Sequence, residues 1–292
     1  MNGSTSSPDR VTSVALFGAR FVDAATGMPV ADGLDVTLFP LTRPTARVNA
    51  LVSHGGVFFT HRVPGFGRLD LGNGVKTRPE LAEGNKQFWQ KAMATAEPFV
   101  VEVRDRLGRF LPISFRTMIP TPGPFGTGGP PSGMPASMEL HSAPARFAPH
   151  STAVVRAQLT KHPSGPGLAH ALVIVECAGK AAGRSIADAA GKVAVMFSYP
   201  EPPSSPGVST KRFTWPLKIK VHHASLAAPS QNRPSDLPDR GDLLDQASRP
   251  SMKLFVKLNP DQIVNAFDCN LKLAQELILR TEGRSELFIS TI

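Results

Sequence analysis

Phe99-Val-Val-Glu-Val-Arg104, then Asp105-Arg-Leu-Gly108, then Phe110 through Met118, is the stretch that decides the class of fold. Phe99, Val101 and Val103 alternate with Val100, Glu102 and Arg104, the period of two that places every second side chain on one face of a strand. Asp105 to Gly108 is a turn, since glycine takes a positive φ without steric cost and aspartate bonds the backbone ahead of it. The return run is apolar and β-branched enough to be the hairpin partner. Working outward, Leu34 to Phe39 alternates in the same way. Val14 to Val22 is a strand closed by Asp23-Ala-Ala-Thr-Gly27, and Val57 to Val63 follows Gly55-Gly56. Short strands at such intervals predict an antiparallel β-sandwich over 11–118.

A second unit over 136–223 repeats that order. Val154 to Leu159, Ala171 to Cys177, Val193 to Tyr199 and Phe213 to His222 read as strands, with Ala187 to Lys192 as a turn. Composition agrees. The chain has 292 residues, room for about two domains. Its 28 Pro and 25 Gly supply the punctuation that many short strands need, at 19% charged residues. The expected fold is therefore mainly β, with two tandem antiparallel β-sandwiches. Between Asp70 and Glu97, Leu81, Phe88 and Ala92 share a helical face, so a short helical insertion is expected over 70–97. Residues 119–135 form a Pro/Gly linker, and 224–250, with Pro229, Pro234, Pro238 and Pro250, a flexible connector.

The tail over 251–292 holds a strand at Leu254 to Leu258 and an ambiguous segment from Gln262 to Leu273. Glu276–Thr281 and Glu286–Ser290 are expected to pair as a hairpin around Glu282-Gly-Arg284. A lone hairpin is marginal in water. Its apolar face must rest on the second sandwich or on a neighbouring subunit, and the apolar residues on both faces, Ile278 and Phe288 included, favour the neighbour.

Sites of chemistry are sparse. There is no GxSxG elbow, HExxH helix, P-loop or complete GxGxxG fingerprint. His222 and His223 are adjacent in a strand and point to opposite faces, so they do not chelate one metal. Cys177 and Cys269 are the only cysteines, read as small apolar residues of strands. Arg240-Gly-Asp242 spells an adhesion tripeptide inside a Pro-rich connector and is read as chance. The net charge of +9 comes from singly scattered Lys and Arg, without a basic run or interleaved aromatics, which argues against nucleic acid. No apolar run reaches the length of a membrane span, and Met1 to Arg10 is polar, so a cytoplasmic protein is expected. No enzyme activity, cofactor, metal or small-molecule ligand is expected. Aromatics at loop ends, among them Phe147, Phe213 and Trp215, divide between core packing and partner anchoring. The candidate partner contacts are Phe66, Trp89, Leu277, Leu279, Leu287 and Ile289.

Two resemblances add to this reading. Phe21 to Leu34, Gly56-Val-Phe-Phe59 and Val63-Pro-Gly65, with Ile186 to Phe197 in the second unit, resemble the prealbumin-like or carboxypeptidase-regulatory-like β-sandwich. Pro98 to Pro112, Leu140 to Arg146, Phe197 to Pro202, Thr214-Trp-Pro216 and Leu279 to Leu287 resemble a family encoded with bacterial contractile injection systems, the phage-tail-like particles. That resemblance implies a structural part of the baseplate or tail end, with other subunits of the particle as partners. The alternative is a free-standing sandwich module that binds carbohydrate or a cell-surface protein.

Overall fold

The computed structural model describes residues 15–66, 94–120, 136–149, 151–162, 165–201, 213–226, 229–230 and 233–290. The strands of the first half are Phe17–Asp23 (β1), Pro29–Val30 (β2), Leu34–Pro40 (β3), Val48–Asn49 (β4), Leu51–Val52 (β5), Val57–Thr60 (β6), Glu97–Asp105 (β7), Ile113–Ile119 (β8) and Ala136–Leu140 (β9). They form two sheets. One runs β2-β1-β6-β5 with β9 on the far side of β1, and the other runs β4-β3-β7-β8. The hairpin of β7 and β8 is as expected, Val101 facing Phe115 across it. Phe21 of β1, Leu38 of β3, Phe99 and Val101 of β7 and Ile113 of β8 are buried in one core between the sheets.

The second half contributes Thr152–Lys161 (β10), Leu172–Cys177 (β11), Lys180–Ile186 (β12), Lys192–Ser198 (β13), Thr214–His222 (β14), Lys253–Leu258 (β15), Asp261–Val264 (β16), Phe267–Lys272 (β17), Leu277–Leu279 (β18) and Leu287–Ser290 (β19). One sheet is β12-β11-β14-β17. The other is β13-β10-β19-β15-β16, with β18 also on β10. Mainly-β architecture built from antiparallel sandwiches is thus what the chain adopts.

Three expectations need correction. The tail does not close on itself as a hairpin. β18 and β19 lie in line along one edge of β10, both parallel to it, Leu277 facing Val155 and Leu287 facing Leu159. The loop between them is an excursion pinned by Thr281, which is fully buried and donates from its hydroxyl to Phe255 O at 2.8 Å. Pairing with β10 wins because it buries Leu279, Leu287 and Ile289 in the second core, where an isolated hairpin leaves them in water. The connector is not structureless either. Asp239 accepts from the N–H groups of Gly241 and Asp242 and caps a short helix, Arg240–Asp245 (α1), whose Leu243 enters the first core. Finally, β9 opens the expected second unit but pairs parallel with β1 of the first sandwich, Phe21 facing Met138. The expected linker over 119–135 and helical insertion over 70–97 lie almost wholly outside the described residues.

The two sandwiches are joined by side chains of both kinds. Leu172 and Ile186 of the second pack into the core of the first, and Ala25 of the first sits on Val154, Ala194 and Met196 of the second. Close backbone approach fixes one corner: a Cβ on Gly167 would stand 1.9 Å from Ala190 O, so only glycine fits there.

Candidate protein interaction surface

Of the carboxylates that stand out electrostatically, Glu139 of β9 pairs with Arg184, and Asp23 and Asp105 are tied up in turns. Asp23 ends β1 and accepts from Ala25 N–H, from the Thr26 hydroxyl and from both Nη atoms of Arg146, at 2.7 to 2.9 Å. Burial raises its pKa, but the Arg146 hydrogen bonds, the Ala25 N–H and the Arg146 charge outweigh that and hold it below the usual carboxylate value. Asp105 repeats the arrangement in the β7–β8 turn, with Arg109 and the N–H groups of Leu107, Arg109 and Phe110. Desolvation is again opposed by these bonds, and the net shift is downward. A cleft of about 180 Å³ between β8, His170 and the connector contains Arg116, Asp239, Arg233 and Asp242. Arg116 pairs with Asp239 at 3.3 Å and Arg233 with Asp242, while Ser235 donates to the buried Glu102 at 2.7 Å. Arg116–Asp239 and Ser235–Glu102 hold the connector against the first sandwich, and Arg233–Asp242 braces it internally. Asp242, the last residue of the adhesion-like tripeptide, is committed to Arg233 and to the first turn of α1.

Among the described residues no group of three or more His, Cys, Asp or Glu is placed to hold a metal. His222 is buried, with Nδ1 2.8 Å from Arg249 O, and His223 is half-buried. Cys177 and Cys269 both lie opposite Leu217 in β14, one from each side, hence two strand spacings of roughly 5 Å apart and too far for a disulfide. Burial pushes the Cys269 thiol up to about 12, with the Asp268 charge adding to it, so it stays protonated and inert.

His141 follows β9 at the junction of the sandwiches, 1% exposed. Desolvation lowers its pKa to about 4; the Glu139 charge and a hydrogen bond with the Arg184 backbone oppose this, while the Arg184 and Arg240 charges add to it. An unfolded histidine takes up its proton near 6.5, so between about 6.5 and 4 the unfolded chain binds more protons and stability drops as the pH is lowered. His141→Leu should therefore lose less stability than the parent between pH 6.5 and 4.5, measured as urea midpoints. An equal loss in both would contradict this account.

The partner-contact candidates divide unevenly. Leu279, Leu287 and Ile289 are at most 2% exposed, and Leu277 packs half-buried on the same core. Leu279, Leu287 and Ile289 are thereby internal to the folded chain and Leu277 is partly covered, a correction that follows from their pairing with β10. Phe66 is half-buried against Phe99, ring centroids 6.3 Å apart. Trp89 lies outside the described residues. Among the described residues the exposed apolar side chains include Phe147 at 96%, Met28 at 65%, Leu107 and Ile278 at 60%, and Leu51 and Val52 on the edge strand β5. Arg156 links the elements that carry Phe147 and Ile278. Arg156 lies directly across from Ile278, donates to Pro144 O and Arg146 O and pairs with Glu276. Alternation placed Ile278 opposite Leu277 and Leu279 on the tail strand, and that signal identifies it as outward-facing once the core face is known.

No protein-family model and no curated protein matches the sequence. Two solved structures are similar to it. One is 5-hydroxyisourate hydrolase from Klebsiella pneumoniae, at 10% identity and a TM-score of 0.22 over 45% of this chain and 92% of that one. The other is the shaft pilin SpaA of Lactobacillus rhamnosus GG, at 7% identity and a TM-score of 0.24 over 96% and 98%. Scores of this size carry neither protein's activity nor its assembly over to this chain. Among the described residues no helix is long and apolar enough to cross a membrane.

Proposed function

We propose that this chain is a non-catalytic structural subunit that works through protein–protein contacts, and that its assembly is the contractile injection particle to which its sequence bears resemblance. The observation that carries the first half is Phe147. A phenylalanine left 96% exposed on a loop that Arg156 holds in place gains nothing from its own fold. A seated aromatic of this kind is the usual anchor of a protein interface. Ile278, across from the same Arg156, is a second exposed apolar side chain, and the carboxylates that stand out electrostatically are spent on holding turns and sandwiches together. The second half rests on the sequence resemblance, from Pro98 to Pro112 and from Leu279 to Leu287.

The test is recovery of the tagged chain from cells that make the particle, followed by mass spectrometry of what accompanies it. Sheath, tube or spike proteins are expected in the eluate. Phe147→Asp should deplete them at least tenfold with a melting temperature close to the parent's, since exposed substitutions shift stability by only about 0.5 kcal/mol. Recovery of the chain without particle proteins would refute the particle assignment. Recovery unaffected by Phe147→Asp and Ile278→Asp would refute this surface as the contact.

A further inference from the structure

β17 is the outermost strand of the sheet β12-β11-β14-β17, and among the described residues nothing pairs with its other side. Its backbone parity is fixed by its neighbour. Leu273 N–H donates to Phe213 O, and Leu273 continues the register in which Lys272 faces Thr214, Asn270 faces Pro216 and Asp268 faces Lys218. Hydrogen-bonded pairs alternate with unbonded ones in an antiparallel ladder. Asp268, Asn270 and Lys272 are therefore the unbonded positions toward β14, and their N–H groups point outward, as do the carbonyls of Asp268 and Asn270. Pro216, which has no N–H, fits the unbonded position opposite Asn270. The same three residues expose their side chains on the outer face, while Phe267, Cys269 and Leu271 turn to the core.

We propose that β17 is a self-complementary edge, along which two copies of this chain pair antiparallel about Asn270. In that register Asp268 of each copy stands opposite Lys272 of the other, and Asn270 faces Asn270. All three turn their N–H groups outward and only the Lys272 carbonyl is already engaged, by Gln275 N–H at 3.2 Å, so hydrogen-bond parity and charge agree. The core-side positions agree too: Leu273, 40% exposed in the single chain, falls opposite the half-buried Phe267 of the second copy. Charged residues usually guard an open sheet edge against pairing. Here the opposite charges lie two residues either side of a common centre. Sliding one copy by four residues either way sets Asp268 against Asp268 or Lys272 against Lys272, and a foreign strand lacks the matching pattern. A second copy is thus the occupant that the charges select. The symmetry is two-fold and closed, so pairing stops at the dimer. It joins the four-stranded sheets of the two copies into one of eight strands. This inference does not depend on the particle assignment.

The experiment is sedimentation of the full chain over about 1 to 100 μM, the span in which a modest edge contact associates. Reversible dimerisation is expected. Asp268→Lys alone and Lys272→Asp alone each turn two attractive cross-strand pairs into repulsive ones and should weaken the dimer about tenfold to a hundredfold. The double swap, Asp268→Lys with Lys272→Asp, should restore it. Asn270→Cys supplies an independent check, because hydrogen-bonded antiparallel pairs place Cα atoms about 5.5 Å apart, within disulfide reach. That variant should cross-link between copies under mild oxidation, and the parent should not. A folded chain that stays monomeric throughout overturns the proposal. So does a dimer that ignores the single charge changes, or one that the double swap fails to restore.

Discussion

Deletion of residues 252–292 is expected to unfold the second sandwich. The segment supplies Leu254, Leu279, Leu287 and Ile289 to one of its sheets and Leu271 to the other, all at most 2% exposed. Burial of each such side chain stabilises by about 1.5–3 kcal/mol. Together the five contribute on the order of 10 kcal/mol, as much as the whole margin by which a domain is folded. Deletion also strips the backbone of β10 along one side, because β18 and β19 occupy consecutive stretches of that edge. Trp215, 3% exposed in the same core, reports the outcome. In a Trp89→Phe background its emission should move to that of a solvated indole, and the truncated chain should aggregate or bind hydrophobic dyes. A milder version, Leu287→Ala, should cost about 2–5 kcal/mol and lower the melting temperature accordingly. A truncated chain that keeps the parent's thermal midpoint would show that the tail is an accessory, free to serve a neighbouring subunit.

The hairpin of β7 and β8 was legible because its signals are local. Alternation sets the faces, and Asp105 with Gly108 sets the turn. The tail was less so, since alternation in Leu277 to Leu279 and Leu287 to Ile289 names an apolar face without naming the strand beside it. The partner, β10, lies more than 100 residues upstream and pairs parallel, with no turn to announce it. β12 carries the sequence Lys-Ala-Ala-Gly-Arg-Ser-Ile, poor in strand formers, and goes unread for that reason. Its Gly183 has a tertiary cause: a Cβ there would lie 2.9 Å from that of Phe197. The connector misleads in the opposite sense. Its prolines and polar residues read as unstructured, yet Ser114 donates to Leu237 O and Ser235 to Glu102, bonds that no hydrophobic period reveals. On the surface, the aromatic content at loop ends pointed to Phe147. What separates Phe147 from the buried Trp215 is exposure, a property of the folded chain alone.

Replacement of Arg146 by alanine is expected to be the most damaging single substitution of a charged residue. Asp23 and Arg146 have side chains only 6% and 11% exposed, and the guanidinium grips both carboxylate oxygens. It also donates to the Ser142 hydroxyl at 2.9 Å and lies 4.6 Å over the Phe110 ring. Arg146→Ala leaves a carboxylate that is already desolvated without its cation, a change that costs about 3–5 kcal/mol when the site is buried. Arg146→Lys should recover only part of this, because an ammonium cannot make the two-pronged contact. The sign of the pH dependence follows from the lowered pKa of Asp23. Its contribution is complete above the ordinary value of 3.8 and is lost as pH falls through the lower folded value. Urea midpoints of parent and Arg146→Ala should therefore lie far apart at pH 7 and converge in acid, once Asp23 carries its proton in both. A gap that is small at neutral pH, or that persists unchanged into strong acid, would mean that the junction of the sandwiches is held by Leu172, Ile186 and Ala25, with the ion pair along for the ride.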